Sequence, residues 1–242
     1  IYGFMNVPNE GDRFPVALVL HGFMPLDTYQ TKTYTTRYAD ALAQAGYFVI
    51  HPNYRNHPPS DNGAYNAFRV DYAIDVLNLI AIIQAQSQDP AGTLRRADAD
   101  YIHIMGHSMG GGIAQRVITV RPDAVRAVVL YGAMSGDEQR NFEKIIVWSE
   151  GRNGGFELAT DPETMAEISP MNYLHRWQTA VSIHHGEKDG TVPLVWSTEL
   201  CERLQAQIII VECFTYPNAP HTFVGGTDAL FTERMINFFK QH

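Results

Sequence analysis

The sequence predicts an α/β fold, a mostly parallel central sheet flanked by helices. Three observations carry this prediction: short runs rich in Val, Ile and Leu, segments of helical period between them, and a chain of 242 residues that is 45% hydrophobic. That composition supports a sizeable core and is unlike a disordered chain. Eighteen basic against 26 acidic residues give a net charge of −8. Nucleic acid and anionic membrane surfaces both require a basic footprint, so neither is the expected partner, and a mild bias against anionic substrates is expected. Apolar runs stay far below the ~20 residues of a membrane helix, so no membrane span is expected. Two cysteines are too few for a disulfide framework or a multi-cysteine zinc module, and their spacing leaves open whether Cys201 and Cys213 meet. The chain opens at Ile1 without a basic-then-apolar leader, and an upstream segment is expected to have been removed.

The elements follow in order. Residues 16–20, 47–50, 101–105, 127–131, 181–184 and 208–214 are the predicted strands, several apolar at nearly every position, as strands covered on both faces are. Between them, residues 70–84 place apolar side chains at 70, 73, 74, 77, 80 and 83, one stripe at the 3.6 period. Residues 38–45, 113–120, 195–205 and 229–239 read as helices in the same way. Strand–helix alternation of this kind implies parallel strands with right-handed crossovers. The Pro-, Asn-, His- and Gly-rich stretch 52–63 reads as a loop leaving a strand end. Roughly 40 residues at 136–174 separate consecutive strands, about twice what one crossover helix needs. They are read as a small cap or flap inserted into a single domain of residues 1–242; the alternative is an ordinary crossover helix with a long loop.

The predicted strand at 101–105 runs into Gly106-His107-Ser108-Met109-Gly110, followed by Gly111 and Gly112. A G-x-S-x-G pattern between a strand and a helix lifts the serine hydroxyl above the sheet edge at a sharp, strained turn. Glycine at 106 and 110 removes Cβ atoms that would collide there. A serine hydroxyl needs a base to take its proton and an acid to orient that base. Of ten histidines, His51, His103 and His184 fall within or at the end of predicted strands and read as core or layer-facing, and His107 belongs to the turn. The neighbours His184 and His185 point to opposite faces of a strand, which argues against a metal pair. His221 instead lies in the loop after the last predicted strand, at the carboxyl edge of the sheet where ligands gather. Asp189 follows the preceding strand and is the candidate acid, with Glu187 and Asp137 as rivals. Candidate oxyanion donors are the backbone N–H groups of Met109, at a helix start, and Phe23, after the first core strand. His21 reads as a structural imidazole pinning that loop.

With these residues in place the chain resembles the α/β-hydrolases, in particular the small esterases related to dienelactone hydrolase and the catalytic domains of prolyl oligopeptidases. The resemblance runs from Leu20-His21-Gly22-Phe23 to the last helix. Its most specific pieces are the turn around Ser108 and His185-Gly186-Glu187-Lys188-Asp189-Gly190-Thr191-Val192-Pro193, with Ser169-Pro170-Met171-Asn172-Tyr173-Leu174 as a third match. The chain departs from the pattern in having serine where dienelactone hydrolase has cysteine, and it is expected to lack a preceding propeller, with the usual first strand before Ile1 missing or trimmed.

The resemblance implies a carboxylic ester hydrolase acting through an acyl-enzyme, with Ser108, His221 and Asp189 as nucleophile, base and orienting acid. No metal or organic cofactor is implied, and the partner is a small-molecule ester. Met24, Trp148, Val192 and Phe223 are expected, with Phe23 and Met109, to line an apolar acyl pocket suited to short acyl or aryl esters, hydroxycinnamoyl esters included. The rivals are a serine exopeptidase of the acylaminoacyl or dipeptidyl type and a non-catalytic binding protein on the same fold.

Overall fold

A computed structural model describes residues 1–242. Seven strands form one sheet in the order β1-β3-β2-β4-β5-β6-β7. They are β1 (Gly3–Asn6), β2 (Phe14–Leu20), β3 (Phe48–Pro52), β4 (Ala97–His107), β5 (Ala127–Tyr131), β6 (Ala180–Gly186) and β7 (Val211–Tyr216). All pairings are parallel except that of β1, which runs antiparallel to β3. The helices are α1 (Thr36–Gln44), α2 (Val70–Gln86), α3 (Met109–Val120), α4 (Glu138–Trp148), α5 (Gly155–Leu158), α6 (Pro162–Glu167), α7 (Leu194–Gln205) and α8 (Gly225–Gln241). None is long and apolar enough to cross a membrane.

Because side chains alternate across a strand, each central strand feeds two cores. Val16, Leu18 and Leu20 pack with Ile104, Val128, Leu130 and the inner faces of α2, α3 and α4. Ala17 and Val19 turn the other way, joining Val49, Met105, Val129 and Tyr131 against α1 and α8. Burial on both faces explains why these strands are apolar throughout.

Several element boundaries differ from the sequence expectation. The short strand β1 carries no apolar run and alternates exposed with half-buried residues. The strand β4 starts four residues before its apolar stretch; Ala97 and Asp98 pair with Phe14 and Pro15 ahead of an irregularity at Pro15/Val16. The helix α3 starts at Met109, inside the glycine run. The last strand starts at Val211 instead of 208, and Ile208 is fully exposed. Residues 136–174 are largely helical. The ends of this stretch are clipped together where Met171 N–H donates to Gly136 C=O at 2.9 Å and Glu138 N–H to Ser169 Oγ at 2.9 Å.

Cys201 on α7 and Cys213 on β7 form a disulfide, with their Cα atoms 6.3 Å apart. The bond ties an edge strand to the helix that precedes it. Replacing both cysteines by alanine should lower stability by about 3 kcal/mol, the loop-closure estimate for a separation of this size; urea titration of the variant against the oxidised protein measures it.

Burial keeps several histidines neutral. It pulls His51 and His103 down to about 4, and His107 and His184 down to about 3. Below the ordinary histidine range near 6.5, an unfolded chain takes up protons that these rings refuse in the folded state. Stability should therefore fall as the pH drops from about 6.5 towards 4, by on the order of 1 kcal/mol per pH unit for each such ring. Urea midpoints measured at pH 7 and pH 5 test this: the midpoint at pH 5 should be clearly lower.

Candidate active site

The carboxyl ends of β2, β4, β6 and β7 bring together four loops that are far apart in sequence. At the end of β4, Ser108 adopts φ 55° and ψ −118°, a strained conformation for a residue with a side chain. The turn persists because the backbone is packed too tightly for any alternative. A Cβ on Gly106 would lie 2.5 Å from Gly110 O, and one on Gly110 would lie 2.2 Å from Leu20 O. The Ser108 N–H donates to Tyr131 C=O at 2.9 Å, and its own carbonyl accepts from Gly111 N–H and Met134 N–H, both at 3.0 Å. Met109 then opens α3, so helix N–H groups stand beside the serine.

Asp189 has no exposed side-chain surface and sits 2.6 Å from His221, Oδ2 to Nδ1. The same oxygen lies 3.1 Å from His185 Nε2, while Oδ1 accepts the N–H groups of Thr191 and Val192, each at 2.8 Å. Burial alone would push this carboxyl up. The hydrogen bonds from His185 and His221, the His221 charge and the Val192 N–H outweigh burial and hold it well below the ordinary carboxylate range. An ionised carboxylate on Nδ1 fixes the proton there and leaves Nε2 of His221 as the acceptor.

His185 is the neighbour that sequence reasoning left without a role. Its ring is buried, with Nδ1 2.7 Å from Ser197 Oγ and Nε2 also 3.0 Å from Val192 O. Since Nε2 faces two acceptors, it carries the proton and donates towards Asp189. The i, i+4 spacing of His185 and Asp189 was the available signal.

His107 bridges the loops. Its Nδ1 accepts from the Tyr34 hydroxyl at 2.7 Å, and its Nε2 donates to the His221 carbonyl at 3.1 Å. Tyr34 in turn accepts the Gly22 N–H at 2.7 Å. One neutral ring thus couples the loop after β2, the serine turn and the His221 loop. His21 is buried among Tyr29, Tyr54, His51 and His57, in the structural position expected for it.

Ser108 and His221 open onto a common cavity of about 480 Å³. Phe23, Pro25, Met134, Ile145 and Trp148 form its apolar part, and Arg69, Ser149, Arg152, Asn153 and Thr191 its polar part. Phe23 is largely exposed at the rim, and no carbonyl of the chain accepts its N–H. Of the expected pocket residues, Phe23 and Trp148 border the cavity, whereas Met109 lines a smaller recess instead. Met24 is half-buried and does not border the cavity. Val192 and Phe223 are completely buried away from the wall. Val192 presents its backbone to Asp189, and Phe223 packs on Tyr131 with ring centroids 4.5 Å apart. Both brace the loops that carry Asp189 and His221. Nearness in sequence to those loops does not say which way a side chain turns. Arg69, just ahead of α2, and Ile145, on α4, reach the wall by long-range packing and carried no motif.

Three solved structures show the same fold at low identity. Est1E from Butyrivibrio proteoclasticus, with ferulic acid bound, superposes with a TM-score of 0.72 at 17% identity, covering 98% of this chain and 93% of that one. A puromycin-hydrolyzing peptidase from Mycobacterium tuberculosis gives 0.72 at 22%, covering 96% and 34%. The acylaminoacyl peptidase from Pyrococcus horikoshii gives 0.71 at 20%, covering 98% and 38%. The chain therefore spans about a third of the length of each peptidase. Residues 39–242 match the prolyl oligopeptidase family. The chain belongs to that family of serine hydrolases, and its sheet and flanking helices are an α/β-hydrolase fold.

Proposed function

We propose that this chain is a carboxylic ester hydrolase working through an acyl-enzyme. Ser108 attacks the ester carbonyl carbon while His221 Nε2 takes the hydroxyl proton and passes it to the departing alcohol. Asp189 stays ionised and stabilises the imidazolium that forms. The N–H groups of Phe23 and Met109 hold the oxyanion of the tetrahedral intermediate. Water then enters, His221 takes its proton, and the hydroxide attacks the acyl-serine to release the acid. Residues 136–174 act as a small cap: α4 brings Ile145 and Trp148 over the cavity that holds the acyl group.

The observation that carries the ester reading is the make-up of the wall. No Asp or Glu lines the cavity that contains Ser108 and His221. An exopeptidase that grips a free peptide amine needs such an anchor. The apolar half of the wall suits a short acyl or aryl group, and Est1E, of nearly this length, is seen with an aromatic acid bound. An acylaminoacyl peptidase, whose substrate has no free amine, is the second reading, favoured by the family match.

Comparing turnover of p-nitrophenyl butyrate and an N-acylaminoacyl p-nitroanilide decides between them. The ester should be cleaved faster by orders of magnitude; faster anilide cleavage would reverse the assignment. A fluorophosphonate probe should label the wild type and leave Ser108→Ala unlabelled, and equal labelling would point to a binding protein.

Asp189→Asn should lower kcat by about 10⁴-fold, because an amide no longer fixes the imidazole proton on Nδ1. The carboxyl is held below its ordinary range, so it remains charged across the working pH. The acidic limb of the pH–kcat/KM profile should therefore carry no carboxylate titration. A carboxylate titration on that limb would remove Asp189 from the role.

A further inference from the structure

The ester reading leaves the polar part of the cavity wall, Arg69 in particular, without a task. Arg69 immediately precedes α2, and it and Phe68 have φ 55° and 54°, two consecutive side-chain-bearing residues in the left-handed region. That region is disfavoured for such residues and persists where the surroundings impose it. The result sets Arg69 into a wall shared by the main cavity and a smaller recess behind Met109 and Ile113.

No carboxylate of the chain is hydrogen-bonded to its guanidinium. Glu138 and Glu157 act on it only through space. Glu138 is 2.8 Å from Arg116, and Glu157 accepts from the Tyr65 hydroxyl at 2.8 Å. Burial is the largest influence on Arg69 and pulls its pKa down, with Arg116 adding to that; Tyr72, Glu138 and Glu157 oppose. A guanidinium stays charged regardless, so a partner anion would relieve a cation held in a poor solvent. Arg152 borders the same cavity, 3.5 Å from the exposed Glu150. In a chain of charge −8, this cavity presents two guanidiniums and no acid.

We propose that Arg69 is a specificity-determining residue that binds a free carboxylate on the substrate, through the paired N–H geometry that suits a guanidinium to that group. The preferred substrates are then half-esters and other esters bearing a carboxylate, contrary to the bias expected from net charge. This inference rests on the ester reading for the cleavage but not for the binding.

Two substrate pairs test it and locate the carboxylate. On the acyl side, 4-nitrophenyl monoadipate is compared with its neutral methyl ester. On the alcohol side, 4-carboxyphenyl butyrate is compared with its methyl ester. The wild type should favour the acid in one pair, and a preference for the neutral ester in both overturns the proposal. In Arg69→Met the acid-to-neutral ratio of kcat/KM should fall about 10- to 100-fold in that pair, as loss of a charge-assisted hydrogen bond does. Arg69→Lys should keep a larger part of the ratio. An unchanged ratio in Arg69→Met also overturns it. Calorimetry of monomethyl adipate and of 4-carboxyphenyl butyrate binding to Ser108→Ala needs no turnover: adding Arg69→Met should weaken binding of at least one of them at least about tenfold, and unchanged affinity for both sinks the proposal. A wild type that cleaves no ester yet loses adipate binding with Arg69→Met defeats the ester reading alone.

Discussion

The turn at Ser108 is the constraint on which the rest of the site depends. Its left-handed φ is unfavourable by roughly 1–3 kcal/mol in isolation, and it is kept because α3 starts almost in contact with the ends of β2 and β4. The backbone of Gly110 passes so near Leu20 that no side chain fits between them. Relaxing Ser108 would pull the start of α3 off two central strands. The sheet thus imposes the conformation, and through it the direction of the serine hydroxyl and of the helix N–H groups beside it.

The buried carboxylate of Asp189 is the second fixed point, and its surroundings explain why it can be both buried and charged. An ion removed from water must recover its lost hydration from hydrogen bonds. Asp189 recovers it from two backbone N–H groups on one oxygen and two imidazoles on the other. The backbone pair comes from its own loop, so the carboxylate also shapes the chain that carries it. Opposite lies the His107 bridge. A protonated His107 would aim an N–H at Tyr34, whose hydroxyl already accepts from Gly22; burial keeps the ring neutral and the chain of bonds consistent. Two buried networks, one ionic and one neutral, therefore hold His221 by its ring and by its backbone.

Much of this was legible in the sequence, for reasons of range. The strands of the sheet centre announce themselves because burial on both faces demands unbroken apolar runs, and the serine turn because its glycines answer a local steric requirement. His221 and Asp189 could be picked out by their place after strand ends. What escaped depends on contacts that sequence spacing does not encode. The edge strand β1 buries too little to need an apolar run, and Ile208–Ile210 imitate a strand that the chain only enters at Val211. Val192 and Phe223 sit beside the right loops but face inward. Arg69 lines the cavity from a stretch where Phe68 and Arg69 both adopt a positive φ that no motif announces, and the Cys201–Cys213 bond depends on α7 folding back beside β7.

The site accordingly divides into a floor and a wall with different physical origins. The floor is set by strand ends and buried hydrogen bonds, where a small shift would leave a polar group unpaired; it is the same chemistry whichever acyl derivative is cleaved. The wall is drawn in part from the start of α2 and from α4 with the segment that follows it, elements whose inner faces pack into the core through Ala73 and Val76 on α2 and Phe142 and Ile145 on α4. A fold of this kind carries no substrate information by itself. Selectivity between a neutral ester, a charged ester and a peptide must come from what the wall offers a substrate that the floor would cleave in any case. Here it offers one apolar side and one cationic side, and under the proposed function this pairing, not the serine turn, is what would set the substrate preference.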